Sequence, residues 1–192
     1  RAVGVDISLP MVQRGRTLDG PSPSSDWGVC DATDLPFKPG TFDGILFSYN
    51  GIELVPGVEG KARVLEESWR ALRPGGRLIF TTHAFEAFNR FFPFRIRHAI
   101  RFALAKLFRI PVEEREIGEV VYDPEQNLEV YYLQVISPRR YKGILDRIGY
   151  RMVYYNSRRR IDRGLPPGRL TNFDSDFKFY IAEKPSEGES DG

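Results

Sequence analysis

The sequence is poor in the residues that build disulfides and metal sites. Among 192 residues it has one cysteine, Cys30, and two histidines, His83 and His98. No intramolecular disulfide can form, and a zinc site built from cysteine and histidine is excluded by count. A chain of this length buries enough apolar surface to fold without such cross-links. The single thiol and the lack of a recognisable export signal favour the cytoplasm as the compartment.

Long apolar runs and an excess of one charge are also missing. No run of about 18 apolar residues is present, so the sequence predicts no transmembrane helix. There are 28 Lys and Arg against 26 Asp and Glu, a net charge of +2, which indicates no nucleic-acid partner. The 41% hydrophobic content is typical of a globular domain.

Short apolar runs alternate with a helical pattern in the first half of the chain. A helix is predicted over 61–72, with Ala62, Leu65, Trp69 and Leu72 on one face, and Pro74 to Gly76 end it. This order predicts right-handed βαβ units in an α/β fold with a Rossmann-like, doubly wound and mostly parallel sheet. The buried strands are predicted at 2–5, 27–30, 42–48 and 77–82.

The second half of the chain interrupts this alternation. A helix is predicted over 94–110, and a hairpin is predicted around Asp123 and Pro124. A helix over 138–148 and strands over 152–155 and 177–182 follow. We interpret 1–184 as one domain, 84–136 as an insertion or lid, and 185–192 as a disordered tail.

Polar residues follow the predicted strands, where ligands of parallel α/β sheets bind. The chain contains six short pieces in a fixed order: Val5 to Ser8 with Met11, Asp31 to Phe37, Phe42 to Ile45, Glu66 and Glu67 before Arg70 to Gly76, Leu78 to Phe80, and Ile148 to Tyr150. In order and spacing these pieces resemble the class I S-adenosylmethionine-dependent methyltransferases, in the branch that modifies small molecules (methyltransferase type 11). The resemblance spans residues 1–82, with weaker similarity over 138–185, and implies S-adenosylmethionine as cofactor.

The resemblance also implies which residues bind the cofactor. Asp6 occupies the position whose carboxylate accepts hydrogen bonds from ribose hydroxyls, and a turn aspartate is the alternative interpretation. Asp31 and the backbone N–H of Ala32 match the adenine-binding positions. The alternative interpretation of Asp31 is a simple turn at the end of a strand. Ile7 and Met11 are expected to make apolar contacts with the adenine and ribose, and core packing is the alternative interpretation of Met11. Ser48, Tyr49 and Asn50 are expected to contact the methionine portion of the cofactor, and a polar loop is the alternative interpretation of these three residues.

One part of the family pattern is missing. The family has a glycine-rich loop after its first strand, about 20 residues before the Asp6 position by analogy with the dinucleotide fingerprint. Five residues precede Asp6, and the chain contains no G-x-G sequence. We therefore expect that the central first strand, its loop and the first helix are absent. We also expect that the chain alone is inactive.

Methyl transfer from a sulfonium needs orientation and a dry pocket more than a catalytic motif. A general base is required only when the acceptor loses a proton. His83, at a predicted strand end, is the first candidate, because histidine is the side chain that ordinarily titrates near neutrality. A structural or solvated histidine is the alternative, and Tyr49, Tyr131 and Glu53 are weaker candidates for the base.

The segment 94–110 is amphipathic and has three interpretations. It is a lid with its apolar face inward, a helix that makes peripheral contact with a membrane surface, or an RNA-contacting patch together with Arg158 to Arg160 and Arg163. The near-neutral net charge disfavours RNA. The apolar face consists of Ile96, Ile100, Ala103, Leu104 and Leu107, and the basic face of Arg97, His98, Arg101, Lys106 and Arg109.

We conclude that the sequence predicts transfer of a methyl group from S-adenosylmethionine to a small, apolar acceptor. A non-catalytic binding or scaffold protein is the first alternative. An RNA methyltransferase and an NAD-dependent oxidoreductase, in which Asp6 would bind the nicotinamide ribose, are further ones. The sequence leaves the acceptor atom and the oligomeric state open.

Overall fold

The strands form separate groups in the computed structural model, which describes residues 1–20, 25–121, 132–174 and 177–186. The strands are β1 (Ala2–Asp6), β2 (Ser25–Val29), β3 (Phe42–Phe47), β4 (Leu72–Thr82), β5 (Glu119–Val121), β6 (Tyr132–Gln134), β7 (Arg151–Ser157) and β8 (Lys178–Glu183). The helices are α1 (Leu9–Asp19), α2 (Gly57–Ala71), α3 (Phe92–Leu107), α4 (Pro138–Ile148) and α5 (Arg158–Asp162). The predicted alternation of strands and helices is therefore present.

The first group is a β–α–β unit. Strands β1 and β2 pair in parallel, with Asp6 opposite Val29, and α1 connects them. The Trp27 ring lies so close to Gly4 and Gly15 that a Cβ at either position would come within 2.5 Å of a ring atom. Glycine at both positions therefore allows the ring to lie between the strand and the helix.

The second group is a four-stranded sheet in the order β3-β4-β8-β7. Strands β3 and β4 pair in parallel, whereas β8 is antiparallel to both of its neighbours. The doubly wound fold is thus mixed in strand direction. Among the described residues no strand pairs with the second edge of β1 or of β3, so the sheet is split at that place.

The main core lies between this sheet and helices α2 and α4. The rings of Phe80 and Tyr180 stack with centroids 4.5 Å apart, and Tyr141 packs against both. The predicted bounds of α4 are those observed: Ser137 caps it by accepting a hydrogen bond from Arg139 N, and Gly149 ends it at φ 109°. Both ends follow ordinary capping chemistry.

Helix α2 begins four residues earlier than predicted, and its predicted apolar face packs against the core. Val64, Leu65 and Ala71 are buried, whereas Ala62 and Trp69 are only partly buried. Lys61 is also fully buried, which hydrophobic periodicity does not predict. The glycines after Pro74 lie within β4 rather than before it, since that strand begins at Leu72.

The structure contradicts one part of the lid interpretation of the segment 94–110, the inward orientation of its apolar face, while the lid role itself stays a prediction. Helix α3 turns Phe102 and Ala105 inward, together with Arg95, whose guanidinium donates to the carbonyl oxygens of Phe85 and Ala87. These carbonyl bonds fix the rotation of the helix. The face expected to point inward is exposed along its length, at Ile96, Ile100, Ala103, Leu104 and Leu107.

The hairpin predicted in the insertion is observed as the antiparallel pair β5 and β6. Its turn, with Asp123 and Pro124, lies outside the described residues, as do Tyr131 and residues 187–192 of the predicted tail. Within the described ranges no helix is long and apolar enough to cross a bilayer.

Candidate functional site

Asp6 and Asp31 lie side by side at the carboxyl ends of β1 and β2. The backbone N–H of Cys30 donates to the carbonyl oxygen of Asp6 at 3.1 Å. Burial raises the pKa of the Cys30 thiol, and the two carboxylates on either side raise it further. Strand pairing therefore brings together the two aspartates that the sequence assigned to ribose and adenine.

Each of these carboxylates uses one oxygen for a local turn. Asp6 Oδ1 accepts from Ser8 N at 2.8 Å, and Asp31 Oδ1 accepts from the N–H and hydroxyl of Thr33, both at 2.8 Å. The Oδ2 atoms accept no hydrogen bond from the described residues. The turn interpretation and the ligand interpretation are therefore compatible, because one acceptor remains on each aspartate.

Apolar side chains stand next to Asp6. Ile7 and Met11 are exposed, so core packing, the alternative considered for Met11, does not apply. Ala32 is partly buried and packs against the main core. The two exposed side chains offer an apolar surface beside a pair of carboxylates, a combination suited to a nucleoside.

The turn after β3 has an unusual backbone. Tyr49 and Asn50 adopt φ values of 52° and 56°, a region that non-glycine residues rarely occupy. The carbonyl oxygen of Ser48 accepts from Gly51 N, and Asn50 N donates to Thr81 Oγ1 at 3.2 Å. Asn50 Oδ1 is buried and accepts no hydrogen bond within the described structure. An acceptor in this state needs a donor from outside.

His83 and Glu53 join the carboxyl end of β4 to the 3-10 turn Gly51–Leu54. Glu53 is completely buried; its Oε1 accepts from His83 N at 2.6 Å, and its Oε2 lies 2.7 Å from His83 Nδ1. The His83 side chain is 38% exposed. The carboxylate therefore fixes the ring through Nδ1, and Nε2 has no partner among the described residues. A histidine held in this way is suited to accept a proton at Nε2.

One aromatic side chain contacts His83, and a separate aromatic cluster forms around Phe88. Phe177 contacts the His83 ring edge-on with centroids 4.8 Å apart. Phe88 stacks on Phe173 at 5.3 Å and also contacts Phe92 at 4.8 Å. Flat apolar walls of this kind exclude water and suit an apolar or aromatic ligand.

A buried polar network connects Lys61 of α2 with side chains between Glu116 and Gln134. Lys61 Nζ donates to Val55 O at 2.6 Å and to Gln134 Oε1 at 2.9 Å. Gln134 donates to Glu116, and Glu119 accepts from the Tyr132 hydroxyl. Burial lowers the pKa of Lys61 to about 8, although the nearby carboxylates oppose this shift. No sequence pattern indicated this network, because its members are distributed over two distant segments.

The structure separates the candidate bases. Tyr49 is 98% exposed, and Glu53 is buried as the partner of His83 rather than open to a ligand. Tyr131 lies outside the described residues. The aspartate pair and the His83 group belong to different sheets, so strand pairing does not connect them. The sequence did not predict that Glu53 is the partner of His83, because the two residues are 30 positions apart.

Comparison with known protein families gives a match over the first part of the chain. Residues 1–80 match the methyltransferase domain family. This range contains Asp6 and Asp31, the turn at Tyr49 and Asn50, and β4 as far as Phe80. The resemblance found in the sequence is therefore confirmed for this part.

Curated relatives point in the same direction. The chain is 36% identical over 110 residues to the ubiquinone/menaquinone biosynthesis C-methyltransferase of Desulfotalea psychrophila, an alignment that covers 57% of this chain and 42% of that protein. It is 37% identical over 97 residues to the demethylmenaquinone methyltransferase of Symbiobacterium thermophilum, covering 49% and 37%. The matched region thus spans less than half the length of either relative.

A solved structure confirms the fold over nearly the whole chain. The S-adenosylmethionine-dependent methyltransferase of Methanosarcina mazei superposes with a TM-score of 0.69 at 17% sequence identity, covering 96% of this chain and 82% of that one. The chain therefore has the Rossmann-like fold of these methyltransferases, as the sequence predicted. At this identity the likeness establishes the fold and leaves the chemistry to the site.

Proposed function

We propose that the protein transfers a methyl group from S-adenosylmethionine to a small apolar acceptor. The observation that carries the proposal is the His83–Glu53 pair, a buried carboxylate aligning a half-exposed imidazole at a strand end beside an aromatic wall. The match of residues 1–80 to the methyltransferase domain supplies the reaction class.

The residues present fit the expected cofactor at two places. Asp6 and Asp31 each retain one acceptor oxygen for the ribose and adenine, with Ile7, Met11 and Ala32 beside them. Asn50 Oδ1 is a buried acceptor without a donor, which suits the ammonium group of the methionine portion. We assign Ser48 and Tyr49, which belong to the same turn, to the methionine portion as well. When bound, S-adenosylmethionine supplies a methyl group already activated on a sulfonium.

The relatives' names indicate carbon as the acceptor atom and a quinone-type ring as the acceptor. Methylation of a ring carbon forms a new carbon–carbon bond, and the same carbon must lose a proton. We assign His83 Nε2 as the acceptor of that proton, with Glu53 holding the ring through Nδ1. Phe177, whose ring contacts His83 edge-on, offers a flat apolar wall that excludes water and orients the acceptor ring.

The test combines binding and turnover in the full gene product. Isothermal titration with S-adenosylmethionine should show one site, and reduced demethylnaphthoquinone with a short prenyl tail should accept the radiolabelled methyl group. A protein that binds the cofactor but methylates no quinol has another acceptor. One that binds neither S-adenosylmethionine nor NAD contradicts the proposal in favour of a non-catalytic binding protein, and NAD binding alone would favour an oxidoreductase.

A further inference from the structure

Helix α3 leaves a continuous apolar face without a partner. Ile100, Leu104 and Leu107 are exposed on it, and Leu107 is 72% exposed. At its amino-terminal end this face forms a groove of about 410 Å³ lined by Phe92, Pro93, Ile96, Arg97 and Ile100. An apolar face of this size on a helix is costly in water and indicates an interaction surface.

Exposed phenylalanines and other apolar residues extend the face beyond both helix ends. Phe91 precedes the helix, and Phe108 and Ile110 follow it, all of them more than half exposed. We call this set, with Ile96, Ile100, Leu104 and Leu107, the α3 apolar face. It extends over the whole helix length, so it fits a flat apolar phase better than a compact ligand.

The charged residues of the segment that carries the α3 apolar face are all of one sign. Residues 87–112 contain six Arg and Lys and no acidic residue. Arg95 is used internally, and Arg101 pairs with Glu114. Arg90, Arg97, Lys106 and Arg109 remain around the face; the Arg90 guanidinium lies over the Phe91 ring and the Lys106 ammonium over the Phe102 ring. Cations beside an exposed apolar stripe complement a negatively charged, apolar surface.

We propose that the α3 apolar face inserts into the interface of an anionic phospholipid bilayer. The apolar side chains enter the boundary between headgroups and acyl chains, and Arg90, Arg97 and Arg109 contact the lipid phosphates. Phe92 lines the groove and also contacts Phe88, so the α3 apolar face continues into the aromatic cluster around Phe88. Lipid binding by this face does not depend on methyl transfer.

Vesicle flotation tests this proposal. The protein should float with vesicles of 70% phosphatidylcholine and 30% phosphatidylglycerol but not with phosphatidylcholine alone, and 0.5 M NaCl should weaken the binding. The double variant Ile100→Gln/Leu107→Gln should bind at least about tenfold more weakly, because it removes two apolar side chains that would enter the bilayer. Arg97→Gln should bind roughly fivefold more weakly. Leu18→Gln, at a leucine of α1 that is 78% exposed, is the matched control and should bind like the wild type.

Three results would overturn the proposal. They are equal binding by the double variant and the wild type, no binding to anionic vesicles, and salt-sensitive binding to RNA in place of lipid. Self-association that the double variant abolishes, without any flotation, would assign the face to a second copy of the chain. Because the substituted side chains are exposed, thermal unfolding of each variant should match the wild type, and this check separates loss of binding from loss of fold.

Discussion

The imidazole of His83 is held by the carboxylate of Glu53 through a 2.7 Å contact between Nδ1 and Oε2, and the same carboxylate also accepts the His83 backbone N–H. A fully buried carboxylate is stable only when such partners compensate for the loss of water. The double contact fixes both the ring orientation and the end of β4. In this arrangement Glu53 is a positioning residue, and His83 is the candidate base.

Removing either member of this pair should slow turnover without weakening cofactor binding. We expect His83→Ala to lower kcat roughly 100-fold, in the range of general acid–base catalysis. Glu53→Gln should lower it by about tenfold, because an amide places a donor against one of the His83 N–H groups. Titration calorimetry should give an unchanged Kd for S-adenosylmethionine. The control is His98→Ala, at the other histidine, and full turnover by the Glu53 variant would contradict the assignment.

The aspartate pair should determine cofactor affinity. Asp6→Asn and Asp31→Asn each remove a charged acceptor, and we expect the Kd for S-adenosylmethionine to rise roughly tenfold to 100-fold. The turns should persist, since an asparagine oxygen can still accept from Ser8 N or Thr33 N. Asp43→Asn is the matched control, because this exposed aspartate of β3 pairs with Arg73. A similar loss in all three variants would indicate a general charge effect instead of a site.

The strained turn gives a stability test in the absence of ligand. Tyr49 has a φ of 52° and is almost fully exposed, so its side chain contributes little packing. Tyr49→Gly should raise the free energy of unfolding by roughly 0.5–1 kcal/mol, because glycine adopts this region without a Cβ clash. Tyr49→Ala keeps the Cβ and should not stabilise the protein. Urea denaturation of both variants makes the comparison, and equal values would show that the turn is unstrained.

The stability of the protein should rise with pH above 8 because of Lys61. Its folded-state pKa is about 8, against 10.5 in water, so between these values the unfolded chain binds more protons than the folded one. The unfolding free energy of the wild type minus that of Lys61→Met should then rise by up to about 1.4 kcal/mol per pH unit. Urea denaturation at pH 7, 8, 9 and 10 measures it. Lys142→Met, at an exposed lysine, should show no such slope.

Local sequence features predicted the elements well where they depend on near neighbours. Helix α4 has its cap at Ser137, its apolar side at Tyr141 and Leu145 and its glycine stop at Gly149, all within 13 residues, and its bounds were predicted correctly. The polar residues after β1 and β2 were also found, because a strand end followed by a turn is a local pattern. These features need no knowledge of the rest of the chain.

Burial of charged residues could not be predicted in this way. Lys61 carries a charge that a sequence pattern assigns to solvent, although it lies three and four residues before the buried Val64 and Leu65, and its partner Gln134 is 73 residues away. The orientation of α3 depends on Arg95 reaching the carbonyl oxygens of Phe85 and Ala87, so the helix shows its most apolar side to water. An amphipathic pattern reveals that a helix has two faces, but the packing partners select which face is buried.

Hydrophobic periodicity and turn chemistry are local properties, so they were enough to predict the order of strands and helices, the α/β fold and the polar residues at the strand ends. The tertiary structure alone decided that Glu53 holds His83, that Lys61 is buried and that the α3 apolar face is exposed. Each of these depends on contacts between segments distant in the chain, whose free energy exists only once the fold has brought them together.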